Sequence, residues 1–258
     1  MKKKLTVVKI GGNVINDKVL LAKVLADFAA IEEAKILVHG GGKKASALMR
    51  QMGMQPKMIE GRRITDAATL EVVTMVYAGL INKKVVADLQ AIGCNAIGLT
   101  GADLNSIQSH KRIVKDIDYG FVGDIDHISA GNISKLLIAD FIPVFCAITH
   151  DKNGQLLNTN ADSIASRLAV GVSDLFEVTL VLCFEKDGVL SDSEDDTSVI
   201  PTLTHDQFQA YKQSGVIYEG MIPKVEGAFY ALQNGVANVF IAGTSALAEN
   251  GKVGTKLV

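Results

Sequence analysis

The sequence predicts an α/β fold: one open, mainly parallel sheet sandwiched between helices, with a small antiparallel excursion. Three observations carry this expectation. Short β-branched runs alternate with stretches whose apolar residues recur at helical spacing, the mark of strand–helix–strand units. The chain has 258 residues and is 48% hydrophobic, enough for a core on both faces of a sheet. Glycines gather just after several strand-like runs, where an open α/β sheet has its ligand crevice.

Residues 5–10 (LTVVKI) read as a strand buried on both faces, because apolar and polar positions do not alternate. Residues 18–30 place Leu21, Val24, Leu25 and Phe28 on one helical stripe. Residues 35–38 form a second strand and 43–52 a second helix. Thr65 or Asp66 caps a long helix reaching Ala91, with Leu70, Val73, Val76, Tyr77 and Leu80 on its apolar side. Residues 95–99 are strand-like. Residues 107–114 and 119–128 alternate and carry glycine, which predicts the antiparallel excursion. A helix over 132–139 precedes a buried strand over 141–148, and Asp151-Lys152-Asn153-Gly154 marks a hairpin turn. Helices over 161–170, 204–214 and 223–234 and strands over 178–184 and 238–241 complete the alternation.

Composition narrows the function. The formal charge is −2 and only 5% of residues are aromatic, so neither a basic surface nor base-stacking side chains point to nucleic acid. Cys94, Cys146 and Cys183 are an odd set in apolar surroundings, which suits reduced thiols rather than a disulfide framework. Lys9 interrupts the first apolar run too early for a signal peptide, and no run reaches the ~18 apolar residues of a membrane helix. A cytoplasmic protein with no membrane partner is expected. The acidic stretch 192–196 reads as a solvated loop, and no metal site built by protein side chains is expected.

The candidate site residues follow the strands. Gly11 and Gly12 follow strand one, and Gly40, Gly41 and Gly42 follow strand two and open a helix, bringing backbone N–H groups close to any anion there. Neither turn fits G-x-G-x-x-G or G-x-x-x-x-G-K-[ST]. Lys9 is a cation inside an apolar strand, rarely buried without a partner. Lys224, behind Pro223, stands in a first helical turn, where the helix dipole repels it. Arg63 at a loop–helix junction suits a carboxylate clamp. Asn158 and Asp162 stand where a short strand meets a helix. Each residue also has a plain account: a tight turn, a snorkelling lysine, a surface charge, a helix-start residue.

Taken together, VKIGG (8–12), VHGGG (38–42), GRRIT (61–65), NTNAD (158–162) and GMIPKV (220–225) resemble the amino acid kinase family, in its order and spacing over essentially the whole chain. The resemblance is greatest to the branch whose acceptor is an N-acylated glutamate. It implies transfer of the γ-phosphoryl group of ATP, with Mg²⁺, to the side-chain carboxylate of N-acetyl-L-glutamate or another N-acylglutamate, in arginine biosynthesis. Lys9 and Lys224 would contact the transferred group, and Asp162 would organise them. Gly41, Gly42, Arg63 and Asn158 would hold the acylglutamate, Arg63 and Asn158 at its α-carboxylate. Gly11, Gly12, Glu185, Gly188 and Val189 would lie on the nucleotide side. Residues 1–173 would be the acylglutamate-binding part and 174–258 the nucleotide-binding part of one continuous sheet. The family's T-D-V-x-G-V is here Phe184-Glu185-Lys186-Asp187-Gly188-Val189: Gly188 and Val189 match, Glu185 keeps the acid, and Phe184 and Lys186 depart. The early first strand implies a homodimer without arginine feedback, joined along the long helix near residues 69–87.

The chemistry explains the residue types. Like unit charges ~3.5 Å apart at an effective dielectric of ~20 repel by roughly 5 kcal/mol. The attacking carboxylate is already deprotonated, so catalysis consists of positioning and charge compensation, and His39 reads as structural. Alternatives within the family are carbamate, aspartate, glutamate 5- and uridylate kinases. A non-catalytic sensor on the same fold and a dinucleotide-dependent oxidoreductase complete the set, the last lacking its glycine fingerprint.

Overall fold

The computed structural model describes residues 2–59, 61–192, 194–217, 219–249 and 254–258. In chain order the first half runs β1 (Lys3–Ile10), α1 (Gly12–Asn16), α2 (Lys18–Ala29), β2 (Ala34–His39), α3 (Gly42–Gln51), β3 (Met58–Ile59), β4 (Arg62–Arg63), α4 (Ala67–Thr74), α5 (Asn82–Ala91), β5 (Ala96–Leu99), β6 (Ile107–Lys111) and β7 (Gly123–Ile128). The second half runs α6 (Ala130–Ile138), β8 (Ile142–Cys146), β9 (Ile148–His150), β10 (Leu156–Asn158), α7 (Ala161–Val172), β11 (Phe176–Phe184), β12 (Thr202–Leu203), α8 (His205–Ser214), α9 (Ile222–Gln233), β13 (Asn238–Gly243) and β14 (Thr255–Leu257).

Eight strands form one sheet in the order β12-β14-β13-β11-β1-β2-β8-β5. All neighbours are parallel except β13 and β14. Residues Leu5 to Ile10 of β1 are all buried, as expected of a strand covered on both faces. Leu5, Val7, Val38, Leu180 and Leu182 point to the layer containing α6, α7, α8 and α9. Val8, Ile10, Leu37, Val181 and Cys183 point to the layer of α2 through α5. The predicted sandwich is what forms.

β1 and β11 lie side by side at the sheet's centre. From β1 the chain moves to β2 on one side; from β11 it moves to β12 and then β13 on the other. Connections therefore diverge at this pair, which opens a crevice beyond their carboxyl ends. Lys9 pairs with Leu182 there, two residues before Phe184 ends β11.

The long helix forms from Ala67 to Ala91, with Asp66 as cap through the Thr69 N–H, but residues Met75–Ile81 widen into a π-helical stretch between α4 and α5. The excursion is real: β6 and β7 pair antiparallel in a second sheet ordered β10-β9-β6-β7. The run over 141–148 divides, because β8 belongs to the main sheet and β9 to the small one. β9 and β10 are joined by the turn at Asp151, whose carboxylate accepts the N–H groups of Asn153 and Gln155.

Candidate active site

Lys9 is 7% exposed, so its charge needs a partner. Asp162, in the first turn of α7, supplies one: Lys9 Nζ lies 2.7 Å from Asp162 Oδ1, an ion pair without hydrogen-bond alignment. Asn160 caps that helix by accepting the N–H groups of Asp162 and Ser163, which leaves the Asp162 carboxylate for the lysine.

Lys224 comes from the other end of the chain, in the first turn of α9 beside Pro223. Its Nζ lies 4.2 Å from the centre of the Phe184 ring, and Lys9 Nζ lies 4.9 Å from the same centre. The two cations are thus gathered at the β1–β11 crevice. Burial holds the Lys224 pKa below the usual lysine range; Asp162 pulls it back up, Lys9 pushes it down and Glu185 raises it. These four charges share one electrostatic site.

The glycine turns frame it. A Cβ on Gly11 would sit 3.9 Å from Lys9 Nζ, whereas one on Gly12 would meet nothing within 4 Å. Gly11 therefore lies against the ammonium and Gly12 faces open space. Gly41 has a packing role: a Cβ there would come 2.5 Å from Ile81 Cδ1 and 2.8 Å from Tyr77 Cδ1, so only glycine lets the turn sit on the long helix.

Arg63 is 7% exposed, and its Nη2 donates to the Gly42 carbonyl at 2.9 Å and Ser46 Oγ at 2.8 Å. Tyr77 lies against it; burial pushes the Tyr77 hydroxyl pKa up while Arg63 draws it down. Among the described ion pairs none engages Arg63, so its guanidinium keeps charge to offer. Asn158 Nδ2 donates to Thr65 Oγ1 at 3.0 Å, and Thr65 Oγ1 donates to the Arg63 carbonyl at 3.2 Å. Arg63, Gly42 and Asn158 are therefore joined into one cluster, while Lys9, Asp162 and Lys224 form another.

Glu185 stands at the rim, its side chain 68% exposed and 3.8 Å from Lys43 Nζ. Lys43 also donates to Asn13 Oδ1. Sequence reasoning missed Lys43 and Asn13. The signal was present, because Lys43 is a cation in the first turn of α3, the same anomaly that singled out Lys224. Gly188 and Val189 are packed in the loop after β11: a Gly188 Cβ would come 2.6 Å from Val199, and the Val189 N–H donates to Thr255 Oγ1 at 2.8 Å. They do not join the two clusters.

His39 is fully buried; its Nδ1 meets the Gly40 carbonyl at 2.8 Å and its Nε2 meets Asn82 Nδ2 at 3.1 Å. Burial lowers its pKa to about 4, so the ring is neutral and structural. A separate polar cleft of about 450 Å³ between β7 and α7 lies outside both clusters. Its polar side chains have partners: Arg112 pairs with Asp124, His110 meets Asp126 at hydrogen-bond distance, and Arg167 lies over the Tyr230 ring.

Comparison with known proteins identifies the family. The model of the amino acid kinase family matches residues 4–243. A protein of Phocaeicola vulgatus named acetylglutamate kinase is 54% identical over 249 residues, covering 96% of this chain and 97% of its own. A Bacteroides fragilis protein of the same name is 53% identical over 257 residues, covering 100% and 98%. Among solved structures, smu.665 from Streptococcus mutans superposes with a TM-score of 0.82 at 27% identity, covering 98% of both chains. On its sheet, its lysine-lined crevice and these matches, the chain belongs to the amino acid kinase family.

Proposed function

We propose that this protein transfers the γ-phosphoryl group of ATP to the side-chain carboxylate of N-acetyl-L-glutamate, an early step toward arginine. The observation that carries the reading is the meeting of Lys9 and Lys224 at the Phe184 ring, with Asp162 on Lys9. Two ammonium groups in a partly dry crevice supply the charge compensation that joining two anions requires. The relatives named acetylglutamate kinase, over nearly their full length, support the acceptor.

Buried Lys9 and half-buried Lys224 would draw the γ-phosphoryl group between them, and Asp162 keeps Lys9 aimed at the crevice and its charge balanced before substrate arrives. Gly11 and Gly12 would bring the backbone close to phosphate oxygens. Gly41 and Gly42 would shape the acceptor pocket, where Arg63 and Asn158 would hold the α-carboxylate and so leave the side-chain carboxylate pointing at the lysines. In this reading residues 1–173 hold the acylglutamate and 174–258 the nucleotide; the C-terminal strands β11 to β14 occupy one end of the sheet, which supports that division. Gly188 and Val189 would act by shaping the nucleotide loop, and Glu185 by facing its phosphates' metal.

Among the described residues no three His, Cys, Asp or Glu side chains gather to hold a metal. Mg²⁺ carried on nucleotide phosphates calls for about one protein carboxylate, for which exposed Glu185 has the right chemistry. When bound, Mg²⁺ would neutralise phosphate charge. A homodimer is part of the same reading; Met75 and Leu80, each 54% exposed on the long helix, support that face as the contact. No helix among the described residues is long and apolar enough to cross a membrane, which suits the cytoplasmic location proposed here.

The test is steady-state ADP release with N-acetylglutamate, N-succinylglutamate, glutamate, aspartate and carbamate. Turnover confined to acylglutamates is expected. Lys9→Ala and Lys224→Ala should each lower kcat by about 10²–10³, the scale for one transition-state donor. Arg63→Ala should chiefly raise KM for the acylglutamate. Unchanged kcat in both lysine variants refutes the mechanism, and no ADP with any acylglutamate favours a ligand sensor.

A further inference from the structure

Phe184 ends β11, and the crevice is built over its ring. The side chain is 9% exposed, packed in the core beneath the carboxyl end of β11. Its ring centre is 4.9 Å from Lys9 Nζ and 4.2 Å from Lys224 Nζ. Both distances lie inside the ~6 Å reach of a cation over an aromatic face. Lys9 has Asp162 as counter-ion, whereas none of the described ion pairs engages Lys224.

We propose that Phe184 is a positioning residue whose aromatic face holds the Lys9 and Lys224 ammonium groups together at the crevice, ready for the transferred phosphoryl group. The proposal rests on the reading of those two lysines as phosphoryl-contacting. The physical case is a contrast of side chains. Two like charges brought together out of water repel each other, and something must offset that before an anion arrives. A second carboxylate would neutralise the pair and then repel the incoming phosphate. An aliphatic side chain would exclude water and attract neither cation. The negative face of a phenyl ring attracts both ammonium groups, carries no net charge and cannot accept a proton from them. Among the described residues the charged groups acting on Lys224 are Asp162 from α7, Lys9 from β1 and Glu185 just after β11; burial holds its pKa below the usual lysine range, Asp162 and Glu185 raise it and Lys9 lowers it.

The experiment compares Phe184→Leu, which keeps an apolar side chain and removes the ring, with Phe184→Tyr, which keeps the ring. Phe184→Met is a second ring-free variant should the leucine variant fail to fold. The pH dependence of kcat is measured for each with ATP and N-acetylglutamate, alongside Lys9→Ala and Lys224→Ala. The ring-free variants should lose about tenfold in kcat with KM for the acylglutamate nearly unchanged. The alkaline limb of their kcat profile should move about one pH unit lower, because Lys224 loses a partner for its charged form. Phe184→Tyr should restore both. A normal kcat and alkaline limb in a folded ring-free variant, or an equal loss in Phe184→Tyr, overturns the proposal while the lysine reading stands. Full activity in both lysine variants overturns the reading itself.

Discussion

At the scale of single residues, the site's neighbours are governed by what burial does to charge. His39 is fully buried and neutral, with Gly40 and Asn82 on its two nitrogens and its pKa lowered from 6.5 to about 4. Because the folded pKa is the lower one, the unfolded chain takes up a proton first as pH falls. The native state is therefore unpenalised above pH about 6.5 and loses stability between there and about pH 4, at ~1.4 kcal/mol per unit and about 3 kcal/mol in all. Urea denaturation from pH 7.5 to 4.5 checks this. In His39→Gln the overall stability should drop, but this part of the pH slope should vanish; an unchanged slope would overturn the assignment to His39. The Lys35 ammonium, also buried, donates to the Ala29 and Ile31 carbonyls at the end of α2. Lys35→Met should leave those carbonyls unpaired and destabilise the protein by roughly 1–3 kcal/mol, read from the shift in urea midpoint.

At the scale of elements, the helices show which local signals suffice. Thr204 and Gln207 form a reciprocal capping box at the start of α8, each side chain accepting the other residue's backbone N–H. Thr204→Ala should cost about 1 kcal/mol by thermal or urea denaturation with kcat unchanged, since α8 lies outside both clusters. What was legible in the sequence follows the same logic of period and cap. β1 was legible because six successive buried positions leave no alternation, and the long helix because Asp66 caps an apolar stripe, although Leu80, read onto that stripe, turns outward in the π-helical stretch. β3, β4, β12 and β14 were not, since two or three residues hold no period, and β14 pairs at long range with β12 and β13. The π-helical stretch over Met75–Ile81 is likewise a tertiary matter, packed where Tyr77 and Ile81 meet the Gly41 turn. In the site, Lys9 was legible as a charge in an apolar strand. Phe184 was not: by sequence alone a phenylalanine ending a buried strand is indistinguishable from core, and only the fold reveals two lysines over it.

At the scale of the whole molecule, the central strands carry both the crevice and a built-in reporter of global opening. Cys146 on β8 and Cys183 on β11 are fully buried, and burial pushes both thiol pKa values up to about 12. The reactive species toward thiol reagents is the thiolate, so in the native state neither should react at pH 8. Cys183 sits one residue before Phe184, in the strand beside β1 and Lys9. Exposing it means separating β11 from β1, the strand that carries Lys9, so its labelling should proceed through opening of the sheet rather than fraying at a surface. A ligand bound across that seam stabilises the closed form by mass action, by about 2.7 kcal/mol at 100 times its Kd, near a hundredfold in the open population. Labelling with a chromogenic disulfide reagent, followed by mass spectrometry, should therefore show Cys183 slowed about a hundredfold by saturating ATP with Mg²⁺ when reclosing outpaces reaction. Cys146 should slow in parallel if the eight-stranded sheet opens as a unit. Slowing at Cys183 alone would mean that the β11 side opens by itself, and no slowing at either would mean that nucleotide does not bridge the seam.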